Sequence, residues 1–117
     1  MKVGIKRVYE ARSEQDGRRV LVDRLWPRGL TKEKAGVDLW LKEIGPSTEL
    51  RKWFGHDPDR WQEFQIRYRN EVEKNAACFS ILQREVQRGP VTLLFGAKDQ
   101  EHNEAVVLRS LLKKSVA

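Results

Sequence analysis

The segment Val20-Leu21-Val22-Asp23-Arg24-Leu25-Trp26-Pro27-Arg28-Gly29 constrains this chain more than any other. A short apolar run rich in β-branched residues stops at an acid, two arginines and a Trp-Pro, and a glycine then opens a loop. An apolar run of that length, apolar on both faces, reads as a strand buried inside a sheet. The charges at its C-terminal end have no packing reason to be there. In open α/β sheets, ligands bind in the crevice beyond the strand C-termini. The segment therefore predicts both a buried strand and a binding edge.

A second segment has the same form. Val91-Thr92-Leu93-Leu94-Phe95-Gly96 leads into Ala97-Lys98-Asp99 and then Glu101-His102-Asn103. Two such strand ends side by side would make a cationic pocket at one edge of a sheet. The excess charge has a matching bias. Residues 1–30 hold eight Lys/Arg against four acids, a net +4 of the chain's +6, whereas residues 31–57 balance and residues 58–117 carry only +2. An anionic partner would be drawn to the first third of the chain. Against this stands the plain alternative that a basic small domain owes its charge to solubility alone.

At 117 residues the chain has room for one core and not for two, so residues 1–117 are expected to form a single α/β domain. No apolar run nears the roughly 20 residues that span a bilayer, and the N-terminus lacks an apolar signal core. With one cysteine there is no intrachain disulfide to call for an oxidising compartment. The expectation is a cytoplasmic protein without a membrane partner.

Residues 2–9 alternate loosely and predict a first strand, residues 19–25 a second, and residues 91–95 a third. The Ser13–Gly17 link between the first two is short for a parallel crossover, so spacing alone favours a hairpin. Thr31 can cap a short helix through Ala35, and residues 39–44 predict an irregular or helical buried segment. Ser47 and Gly55 are the cap and stop of a helix ending at Phe54. Asp57-Pro58 is a strong helix start, and Trp61, Phe64, Tyr68 and Val72 recur on one helical face. A single helix from 58 to 88 would measure about 46 Å, too long for so small a domain, so a break is expected near Lys74-Asn75. A final helix is predicted from about Gln100 to Lys114, its terminal lysines suiting the helix dipole. The whole predicts an α/β domain with a small central, mostly parallel sheet of three or four strands covered by helices.

Chemistry-bearing residues cluster at the two strand ends. A guanidinium is a planar fork of donors suited to phosphate or carboxylate, so Arg24 and Arg28 on one turn make an anion clamp. The competing assignment pairs one with Asp23 and sends the other to a helix C-terminus. Trp26 reads as partly buried packing beside the clamp, and Gly29 as a backbone position closed to other residues. Lys98 and His102 could complete an anion site on the first turn of the last helix, with His102 also the acid/base candidate. Asn103 is a further ligand contact or simply a helix cap. His56 reads as a turn histidine bonded to backbone, the Trp53–Tyr68 aromatics as core, and Cys78 as an inert, partly buried thiol. One cysteine and two histidines at scattered positions make no metal signature, and no motif names a cofactor.

Taken together, Leu21–Gly29, Lys42–Ser47, Leu50–Pro58 and Leu93–Asp99 with His102-Asn103 resemble the YeaO-like branch of the "domain of unknown function 488" group. The resemblance covers nearly the whole chain. It implies a compact α/β domain without an established activity, and first strands that run parallel, against the hairpin reading. The wider group looks as if it carries a Cys-His-Arg signature at the start of the last helix. Here the corresponding residues are Glu101-His102-Asn103, in which only the histidine matches, so a cysteine-based activity does not carry over. The functional expectation is a small anionic ligand, phosphate- or carboxylate-bearing, held by Arg24, Arg28, Lys98, Asn103, Asp23 and Trp26, with His102 for acid/base chemistry. The alternative is a basic nucleic-acid-binding accessory domain, which needs an extended phosphate-neutralising face although no recognised binding motif is present.

Overall fold

The computed structural model describes residues 2–115. Four strands, β1 (Val3–Arg7), β2 (Arg18–Leu21), β3 (Leu39–Trp40) and β4 (Val91–Phe95), form one sheet in the order β1-β4-β2-β3, and every pair in it is parallel. The α/β architecture expected from the two buried runs is the one observed. All five residues of β4 are buried, as its unbroken apolar sequence requires of the strand flanked on both sides.

The hairpin inferred from spacing is wrong. β4 lies between β1 and β2, pairing Ile5 with Leu93 on one side and Val20 with Leu93 on the other. The chain leaves the sheet after Val8 and makes a Ser13-capped 3-10 turn at Glu14–Asp16. It rejoins at Arg18, whose N–H donates to the Pro90 carbonyl at 3.0 Å. A charged cluster holds this short crossover in place of a helix. Fully buried Arg19 donates to Asp16 and to the carbonyls of Glu10, Ala35 and Gly36, while Lys6 also reaches Asp16. Sequence spacing carries no information about a strand that arrives some seventy residues later.

The period of two along the strands divides the core. Val20, Val22, Leu93 and Phe95 face the larger cluster, under α2 (Thr48–Phe54), α3 (Trp61–Lys74), α4 (Ala76–Arg88) and α5 (Glu104–Ser115). Leu21, Leu94 and Val8 face a thinner layer with Ala35 of α1 (Lys32–Ala35), Trp26, Leu30 and Val37. Helix ends obey their caps: Ser47 Oγ accepts from the Leu50 N–H, and Gly55 closes α2 in the left-handed region at φ 54°. The expected break falls at Asn75, between α3 and α4. Three expectations fail locally, the first that β2 runs to Leu25, since it ends at Leu21. Leu39-Trp40 adds an edge strand before a 3-10 turn at Lys42–Ile44, and α5 begins at Glu104, four residues late, because Asp99 draws the preceding N–H groups into a turn of its own. Among the described residues no helix is long and apolar enough to cross a membrane.

Candidate functional site

The C-terminal ends of β2 and β4 are stitched together, and the stitch creates the site. The Val22 N–H donates to the Leu94 carbonyl at 3.1 Å; one step further on, the Gly96 N–H donates to Asp23 Oδ2 at 2.8 Å. A Cβ at Gly96 would sit 3.0 Å from that carboxylate oxygen, so a side chain here would crowd Asp23. The Asp23 carbonyl accepts from Trp40 Nε1 at 2.8 Å, which ties the edge strand to the same turn. Asp23 is thus a joint between strands whose remaining carboxylate surface faces a cavity of about 510 Å³.

Arg24 and Arg28 both line this cavity but are bound differently. Arg24 donates from Nε to the Pro46 carbonyl at 3.0 Å and from Nη2 to the Gly45 carbonyl at 2.9 Å. Gly45 lies so close that a Cβ on it would come within 2.7 Å of the Arg24 backbone nitrogen. Neither competing assignment from sequence had Arg24 serving the loop after β3. Arg28 is exposed; its carbonyl accepts from Tyr9 Oη at 3.0 Å, and its guanidinium makes no hydrogen bond or ion pair with the described residues. Trp26 donates from Nε1 to the Leu30 carbonyl at 2.7 Å, meets Trp40 edge-on at 5.3 Å and also lines the cavity.

The opposite wall comes from the β4–α5 connection. Asp99 Oδ1 accepts from the N–H groups of Glu101 and His102, and its Oδ2 lies 2.8 Å from His102 Nδ1. The His102 ring and these N–H groups hold the Asp99 carboxyl below the ordinary carboxylate range. The imidazole also meets Trp61 edge-on at 5.1 Å, so two contacts orient it. Sequence reasoning placed only cations and a helix terminus around this histidine; the structure adds an anion in direct contact. Asn103 caps α5, with Oδ1 accepting from the Val106 N–H and Nδ2 donating to the Asp99 carbonyl. Its side-chain hydrogen-bonding groups serve the cap at the cavity wall. Lys98 is exposed and does not line the cavity. The structure therefore brings together Asp23, Arg24, Trp26, Arg28, His102 and Asn103, and leaves Lys98 outside.

Three polar groups line the cavity that sequence reasoning did not place there. Arg51, in the last turn of α2, lines the cavity with a guanidinium that no described residue bonds or pairs. It sits three residues before buried Phe54, so it borders that helix's apolar stripe, which is the signal that could have marked it. His56 follows in the left-handed region at φ 57° and also lines the cavity. Its ring makes no backbone hydrogen bond among the described residues, contrary to the turn role expected for it. Glu104, the first residue of α5, is buried at 9% exposure against Asp23. Burial, and after it the neighbouring Asp23 charge, push its carboxyl well above the usual range. Apolar surface from Phe54, Phe64, Pro27 and Leu25 completes the walls. Among the described residues no group of three or more His, Cys, Asp or Glu could hold a metal ion.

The family model described as "Inactive DUF488-N3 subclade" matches residues 2–117. The uncharacterized protein YeaO of Escherichia coli K12 is 41% identical over 113 residues, covering 97% of this chain and 98% of its own. An uncharacterized protein of Mycobacterium tuberculosis H37Rv is 40% identical over 111 residues, covering 95% and 93%. No solved structure matches.

Proposed function

This chain belongs to the DUF488-N3i family, described as an inactive subclade, and from that premise we propose that it is a non-catalytic receptor for a small phosphate- or carboxylate-bearing ligand. The observation that carries the reading is the pair Arg28 and Arg51. Both guanidiniums line a cavity of about 510 Å³ and neither is committed to a protein partner among the described residues. An unspent guanidinium is a bidentate anion fork, and a concave apolar site of several hundred Å³ with few polar groups has the form of a small-molecule pocket. His56 and His102 add hydrogen-bonding edges beside them. The oriented His102 imidazole serves here as a ligand contact.

The distribution of charge weighs against the nucleic-acid alternative. Of the basic residues in the first third of the chain, Lys6, Arg12, Arg18 and Arg19 are held in ion pairs with Asp16, Asp38 and Glu85. Arg7 and Arg24 donate to backbone carbonyls. Little of the net +4 remains as a free basic face for phosphate neutralisation.

Native mass spectrometry of the protein purified from cells, together with thermal shift in inorganic phosphate, tests the reading. A co-purified anionic metabolite, or stabilisation by phosphate that Arg28→Ala and Arg51→Ala weaken, is expected. No bound species and no phosphate response would refute it. A gel shift at low salt that vanishes at high salt would favour nucleic acid instead.

A further inference from the structure

The cavity is lined by the acids Asp23 and Glu104 as well as by arginines. Asp23 spends one carboxylate oxygen on the Gly96 N–H. Glu104 is nine-tenths buried and lines the same cavity, and no N–H or O–H of another described residue donates to its carboxyl. The group its carboxyl meets is a second acid, Asp23. A purely anionic ligand fits such a lining badly, because the acid pair repels it where the arginines attract it.

We infer that the ligand bears, besides its anionic group, a nitrogen donor such as an amine that docks on the Asp23–Glu104 pair, making it a small amphoteric molecule. This rests on the reading of the cavity as an anion receptor and narrows its ligand class. The anionic end lies against Arg28 and Arg51, the nitrogen end reaches the acid pair, and an apolar body between them lies along Phe54 and Phe64. An amine beside two facing acids offsets the repulsion between them, which the raised Glu104 carboxyl reflects.

Two matched probes test it by calorimetry on the intact protein: tyramine phosphate, and 4-ethylphenyl phosphate, which lacks only the amine. Tyramine phosphate should bind about tenfold tighter or better, the worth of one hydrogen bond to a charged group. Asp23→Asn combined with Glu104→Gln should erase that preference while 4-ethylphenyl phosphate still binds. Equal affinity of the two probes for the unaltered protein would overturn the inference and leave the anion reading intact. A preference that survives in the double variant would overturn it too, because the amine would then dock elsewhere. If neither probe nor inorganic phosphate binds, the anion reading fails and this inference with it. Should the double variant not fold, the comparison on the unaltered protein still decides.

Discussion

Replacing Asp16 by asparagine removes one negative charge from the cluster that holds the β1–β2 crossover, and keeps its shape. Asp16 accepts from the Ser13 N–H at 3.0 Å, from Arg19 Nη1 at 2.8 Å and from Lys6 Nζ at 3.1 Å. Burial alone would raise its pKa, but the Ser13, Arg19 and Lys6 contacts outweigh burial and lower it from 3.8 to about 2. The folded protein therefore binds fewer protons than the unfolded chain in this range, so stability rises with pH. The contribution is complete above the unfolded value of 3.8 and disappears as pH falls through about 2. At about 1.4 kcal/mol per pKa unit, discounted for nearby solvent, the charge stabilises the fold by about 1–2 kcal/mol. Urea unfolding followed by tryptophan fluorescence should show Asp16→Asn less stable by at least that amount near neutral pH. The gap should close as the wild-type carboxyl becomes protonated. Subtracting the two proteins cancels every other titrating group they share. A gap that stays constant down to the acid limit would refute the electrostatic account and leave only a packing effect of the amide.

Arg24→Ala should lower stability by about 1–3 kcal/mol through the two lost bonds to the Gly45–Pro46 backbone, whereas Arg28→Ala and Arg51→Ala should leave the melting temperature unchanged; equal losses for all three would contradict this division. Glu104→Gln should behave oppositely to Asp16→Asn. Burial beside Asp23 raises this carboxyl above its ordinary 4.5, so the stability tied to its protonated form is lost as pH rises from there, and the glutamine variant should gain on wild type towards alkaline pH. A pH-independent difference in melting temperature would count against the raised Glu104 carboxyl. Cys78, whose thiol is pushed up by burial and then by the Glu43 charge, should react slowly with iodoacetamide in the native protein and rapidly in urea; equal rates would show the thiol to be open.

What could be read from sequence divides according to how local its cause is. The β4 run and the Ser47, Gly55 and Asn75 boundaries depend on periodicity and capping within a few residues, and they stand where they were expected. The order of β1 and β2 depends on β4 arriving between them, and the edge strand Leu39-Trp40 is too short to show any alternation. The arginines make the same point at the level of chemistry. Arg19 and Arg24 lie on either side of one apolar run, and no sequence rule separates them. Yet Arg19 is fully buried with its fork spent on four groups, and Arg24 clamps a loop while touching the cavity. Arg28 and Arg51, far apart in sequence, are the two that reach the cavity uncommitted. A net charge of +6 therefore says little about what the protein can attract. The quantity that matters is the charge left after the fold has used its share, and at the cavity that remainder is Arg28 and Arg51, beside the acids Asp23 and Glu104. On the reading proposed above, a ligand answers both signs, so opposite charges on one small molecule suit this site better than a polyanion does.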